Sequence, residues 1–149
     1  MKLHTIAAAL ALLAAPAAAK APGLTVEGWA RAGVSSSAAY LAVHNRQRGA
    51  DRLLGVSSPA ARNVSIHNSV TAGGVMRMRP AGALPIAAGG HLAMKPGGLH
   101  VMVMGLKAPL RPGTRLPLTL RFERAGNVNV SLPVLPPGST GPKGDHRGH

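Results

Sequence analysis

From Leu24 onward the chain breaks into short apolar runs separated by clusters of Gly, Pro, Ser and Asn. "LTVEGWARAG" alternates apolar and polar positions and carries Trp29; "SAAYLAVHN" follows, with Asn45 and Gly49 marking a turn. Then come "DRLLGVSSP", "ARNVSIHNSV", "GGVMRMRPAG", the longer "LPIAAGGHLAMKPGGLHVMVMGL", "RLPLTLRFERAG" and "NVNVSLPVL". These runs are rich in Val, Leu and Ile and show no sustained helical period, so they predict strands. Many short strands at this spacing predict an all-β sandwich or barrel. "RAGN", between Phe122 and Val128, predicts a hairpin turn.

The two ends read differently. "MKLHTIAAALALLAAPAAAK" has a basic start at Lys2, an apolar run from Ile6 to Ala15 and small residues at Ala17, Ala18 and Ala19. That is the form of a cleavable secretory signal over residues 1–19, too short for the ~20 apolar residues of a membrane span. With no other apolar stretch of that length, the expectation is an exported, periplasmic protein that does not insert in the membrane after signal removal. A lipoprotein anchor is not expected, because the chain has no cysteine to acylate. The folded domain is expected over residues 20–136. "PPGSTGPKGDHRGH" offers nothing apolar to bury, so residues 137–149, with His146 and His149, are expected to form a flexible tail.

Composition narrows the chemistry. Zero cysteines rule out disulfides, thiolate nucleophiles and thiolate ligands in the chain. The four acidic residues are scattered, which makes a two-carboxylate hydrolase hard to build. One Trp, one Tyr and one Phe give almost no stacking platform for bases. The net charge of +13 is spread along the chain, without the localised patch of a nucleic-acid binder. An enzyme and a nucleic-acid partner are therefore not expected. A structural or adhesive sandwich remains the alternative to a binding protein.

What remains is soft-ligand chemistry. In "LHVMVMGL", His100, Met102 and Met104 fall on alternate positions, so one strand face carries an imidazole and two thioethers. Met76 and Met78 share a face of "GVMRMRP", and His67 lies in "VSIHNSV". Two strands can thus offer soft side chains to a shared space that His67 completes from a third. Thioether sulfur is a weak donor for Zn²⁺ or Mg²⁺ but suits Cu(I), and imidazole suits copper in either state. Two imidazoles and two thioethers form a neutral set, which favours holding Cu(I) over cycling it; a blue-copper centre would need a thiolate. Taken singly, a strand methionine is ordinarily core filler, and Met94 is read that way. Met76 and Met104 could be core or lie just behind the ligands. His44 and His91 are expected to face solvent, without a soft partner beside either.

His67, Met78, His100 and Met102 form the pattern H-x10-M-x21-H-x-M. At these residues the chain resembles the PCu(A)C family of periplasmic copper chaperones, whose signature has those four identities and three gaps. The likeness extends over "AAYLAVHN", "DRLLGVSSP", "GVMRMRP", "MKPGGLHVMVMGLKAPL" and "PLTLRFERAG". It implies a cupredoxin-like Greek-key β-sandwich, expected as a monomer. It also implies one Cu(I) held by His67, Met78, His100 and Met102, and delivery to a copper-accepting protein of respiratory haem–copper oxidase assembly. Two departures stand out. Asn68 takes a place where relatives often have Glu or Met, and "SVTAGG" lacks an often-seen methionine. The tail is also poorer in His and Met than in many relatives, which weakens the case for a Cu(II) site at His146 and His149.

Overall fold

The computed structural model describes residues 23–142; the expected signal, residues 1–19, and the tail histidines His146 and His149 lie outside the described residues. The described elements are ten strands: β1 Leu24–Arg31, β2 Ser36–Asn45, β3 Asp51–Ser57, β4 Ala61–Ala72, β5 Val75–Pro80, β6 Leu84–Ile86, β7 His91–Ala93, β8 Leu99–Leu106, β9 Arg115–Phe122 and β10 Gly126–Leu135. One sheet runs β5-β4-β8-β2-β1, with β7 beside the second half of β2; the other runs β10-β9-β3-β6. They meet where β1 and β10 pair in parallel, Ala30 with Val134 and Arg31 with Leu135. The sandwich is all-β, as the patterning predicts.

Alternation explains the core. Ala39, Leu41 and Val43 of β2, Val101 and Val103 of β8, and Leu116, Leu118, Leu120 and Phe122 of β9 are buried at every second position. They meet in a single apolar cluster with Val128, Leu132 and Val134 of β10. The predicted hairpin forms: Phe122 pairs with Gly126, whose φ of 75° closes the three-residue loop Glu123–Ala125. Met94 is buried in the cluster.

The long run from Leu84 to Leu106 holds three strands, β6, β7 and β8. β7 lies antiparallel to β2 with His44 opposite His91, and β8 continues along the same edge with Ala39 opposite Val101. Between them the chain makes a tight turn, Lys95–Gly98, in which the Gly98 amide donates to the Lys95 carbonyl and Gly97 takes φ 84°. Pro at the second position and a positive-φ Gly at the third are what a type II turn requires. The turn lets the chain leave β2 briefly and return with its far edge paired to β4. There Asn68 faces Leu99 and the Ser69 amide donates to the Gly98 carbonyl.

The opposite end of β2 is held by buried polar groups. Asn45 is fully buried; its Nδ2 donates to the carbonyls of Gly49, Ile86 and Ala87, and its Oδ1 accepts from the Gln47 amide. Nearby, the buried Asp51 accepts from the amides of Arg52, Arg124 and Ala125 and from the Gln47 side chain. Burial pushes the Asp51 carboxyl up, but the Arg124 amide, the Gln47 side chain and the Arg52 and Ala125 amides outweigh it and hold the pKa below the usual range.

Candidate metal centre

Register alone decides which side chains share a face. His67 of β4 stands directly opposite His100 of β8, Ser65 opposite Met102, and Ser69 opposite Met78 of β5. Side chains that oppose one another in an antiparallel pair project to the same side. His67, Met78, His100 and Met102 therefore lie on one face of three adjoining strands, the face turned away from Val101, Val103 and Ile66 in the core. His67 is central: His100 is its direct partner, and Met78 and Met102 are its diagonal neighbours on either side, a separation long side chains can span. Met76 and Met104 lie one step further out, opposite Thr71 and Asn63.

The ladder shapes this arrangement in detail. The Ser69–Gly98 backbone bond makes that pair, and by alternation the His67–His100 pair, hydrogen-bonded to each other's strand. Toward β5 the bonded positions are shifted by one, as the Ala81 amide donating to the Ile66 carbonyl shows. Pro80, opposite His67, consequently occupies a place where no ladder donor is needed, which is how a proline fits on this strand. β5 is also the last strand of its sheet.

The two imidazole rings lie nearly parallel, 25° apart with centroids separated by 6.3 Å. They differ in surroundings. His67 is half-buried, and its Nδ1 is 3.3 Å from the Ser65 hydroxyl. His100 is 5 % exposed, and its Nδ1 lies 2.9 Å from the Gly98 carbonyl. A carbonyl only accepts, so Nδ1 carries the proton and Nε2 of the neutral ring is left with a lone pair. That Nε2 is buried and has no hydrogen-bond partner. An orphaned buried nitrogen costs about 1–3 kcal/mol, and such groups are rare in native folds. A metal ion at that lone pair would remove the deficit. The Gly98 carbonyl is also the kind of outer contact that fixes a ligating histidine's tautomer and ring orientation.

The methionines of this face are more open than His100: Met78 is 57 % exposed and Met102 half-buried. The face thus offers two imidazoles and two thioethers as candidate donors, one ring nitrogen deeply buried and one methionine on the edge strand. Among the described residues no three or more His, Asp or Glu side chains are grouped so as to hold a metal.

The family model of the LpqE-like proteins, described as "Putative lipoprotein LpqE-like", matches residues 12–134. The chain belongs to the LpqE-like family. A relative from Leifsonia xyli subsp. xyli, described as "Putative lipoprotein Lxx21020", is 36% identical over 127 residues, spanning 80% of this chain and 76% of that protein. Among solved structures, this LpqE-like chain is similar to the copper-bound PCuAC domain from PmoF2, with TM-score 0.64 and 28% identity over 77% of this chain and 94% of that one. It is also similar to apo-DR1885 from Deinococcus radiodurans, with TM-score 0.61 and 30% identity over 95% and 97% of the two chains. The Cu(I) form of DR1885 matches with TM-score 0.57 and 29% identity over 76% and 78%. The sandwich is therefore of the cupredoxin-like type those PCuAC domains share.

Sequence reasoning missed one feature of this face. His44 and His91, read as solvent-facing without a soft partner, are exposed and have no methionine beside them, but they stand opposite one another with ring centroids 5.8 Å apart. No signal in either run says that β7 pairs with β2.

Proposed function

We propose that this LpqE-like protein is an exported copper chaperone. It binds one Cu(I) through His67, Met78, His100 and Met102 and hands it to an acceptor protein, in the setting of haem–copper oxidase assembly. The observation that carries the reading is the orphaned Nε2 of His100, buried beside His67 and a thioether on a single face. Support comes from the likeness to copper-bound and Cu(I)-bound PCuAC domains. Export, with the periplasm as the destination, rests on the signal-like residues 1–19 and on relatives described as lipoproteins.

The geometry suits capture and release. His100, enclosed and oriented by Gly98, and His67 act as anchors. The thioethers of Met78 and Met102 carry no charge and leave without a charge-separation cost, so an acceptor can replace them one at a time. Met78 lies on the edge strand, where a thiolate-bearing acceptor that holds Cu(I) more strongly meets the ion first. Two of the acidic groups are already engaged: Asp51 with the loop at Arg124 and Ala125, and Glu123 with Arg52.

An anaerobic Cu(I) titration against a chromophoric competitor tests the proposal. One tight equivalent, lost in the double variant His67→Ala/His100→Ala, is the expected result. Unchanged stoichiometry in that variant, or no bound Cu(I) in the parent, ends it.

A further inference from the structure

We infer that His44 and His91 form a second, sulfur-free metal site, selective for Cu(II), on the same outer face as the candidate Cu(I) centre. The two residues are direct partners across the β2–β7 ladder, and their rings lie 28° from parallel with centroids 5.8 Å apart. The ladder brings them closer than a bonded pair would be. The Asn45 amide donates to the Gly90 carbonyl and the Met94 amide to the Leu41 carbonyl, so the bonded pairs fall at those positions and His44–His91 is a non-bonded pair. Opposed Cα atoms in such a pair approach to ~4.5 Å, against ~5.5 Å in a bonded pair. This accounts for the rings being nearer than those of His67 and His100, at 6.3 Å.

The backbone under the pair is rigid. Asn45 follows His44 and Gly90 precedes His91, and the Asn45 side chain ties this end of β2 to Gly49, Ile86 and Ala87. Among the described residues no hydrogen bond engages either ring, and both side chains are exposed. Two free imidazoles on a fixed frame need only side-chain rotation to grip one ion.

The neighbours decide which ion. Across β2, the residues sharing this face on β1 are Thr25, opposite His44, and Glu27, opposite Ala42. No methionine shares the pair's strand positions. Glu27 is not placed as a third ligand, since no such triad exists among the described residues, but its carboxylate adds negative charge diagonally across the ladder. Imidazole serves copper in either state, but without a thioether and with water and a nearby carboxylate the surroundings suit a divalent ion, and Cu(II) leads the divalent series. The proposal does not depend on the Cu(I) reading, and its test separates the two.

The full-length protein, loaded anaerobically with one equivalent of Cu(I), is titrated with Cu(II) and followed by electron paramagnetic resonance; Cu(I) affinity is measured in parallel. The expected result is a Cu(II) signal with nitrogen coupling that is lost in His44→Ala and in His91→Ala. It should persist in His146→Ala/His149→Ala, while Cu(I) affinity stays unchanged in all three. Cu(II) binding that survives both single substitutions, or that disappears only with the tail histidines, overturns the assignment. So does a parent protein that takes up no Cu(II). Failure of Cu(I) binding with the His44-dependent Cu(II) signal intact would sink the chaperone reading and leave this one standing.

Discussion

The two histidine pairs of the outer face are built by one rule and differ in burial, in neighbouring side chains and in nearby charge. Each joins directly opposed residues of antiparallel strands, with rings within 28° of parallel. His67–His100 occupies a bonded position, has one buried member and lies among thioethers; His44–His91 occupies a non-bonded position, is exposed on both sides and has a carboxylate as its diagonal neighbour. Tyr40 lies between them on β2, four residues or ~13 Å along the strand from His44, its ring tilted 32° against Trp29 at 4.6 Å, with Arg31 over both rings. The pairing motif supplies two nitrogens in each case. Softness, burial and charge come from the adjoining strands.

Substitutions can break this contrast. The largest effect is expected from His100→Ala, which should cost about 100-fold or more in Cu(I) affinity, the upper range seen even for outer contacts of a metal site. A competition titration reads it, and His91→Ala in the same assay should leave Cu(I) affinity unchanged. Equal losses from both would erase the distinction between the pairs.

Asp51→Asn tests the frame beneath the exposed pair. Asp51 receives four hydrogen bonds while buried, so the variant should lose about 2 kcal/mol in urea unfolding at neutral pH. Its folded-state pKa is depressed, so its contribution is fully present above the unfolded carboxylate value of ~3.9 and is lost as pH falls through the lower folded value. The gap between parent and variant should persist at pH 5 and close only in stronger acid. A gap that closes between pH 5 and 7 would refute that account.

Smaller losses should follow from the thioethers. Met78→Ala and Met102→Ala are each expected to lower Cu(I) affinity about tenfold, or 1.4 kcal/mol, less than His100→Ala. A loss at Met78 equal to that at His100 would reverse the roles of anchor and leaving ligand. The subtlest change, His91→Met, should weaken Cu(II) binding at the exposed pair and bring in weak Cu(I) binding there, visible as a second, low-affinity Cu(I) equivalent.

Much of the fold is legible in the chain because period-two alternation states directly which side chains of a strand face inward. Val101 and Val103 against His100, Met102 and Met104 is the plainest case. The hairpin before Gly126 is legible for the same local reason. The run from Leu84 to Leu106 is less so: its Pro-Gly turn is visible, but that it separates two strands along one edge of β2 depends on a partner about fifty to seventy residues away. The candidate site divides similarly. Four soft residues at fixed gaps are evident in the sequence, whereas the burial of His100 and the commitment of its Nδ1 to Gly98 are not.

The sequence by itself determined the chemical vocabulary: no thiolate, few carboxylates, and nitrogen and thioether donors spaced to share strand faces. It also determined the parity of each strand, because alternation is a property of the local backbone. Tertiary structure decided which strands are neighbours and in what register, and so that His67 meets His100 and His44 meets His91. It decided as well that one ring nitrogen is buried without a partner. Register and burial arise from contacts between residues far apart in the chain, and a strand's own pattern fixes which face it buries without naming the strand that will lie beside it.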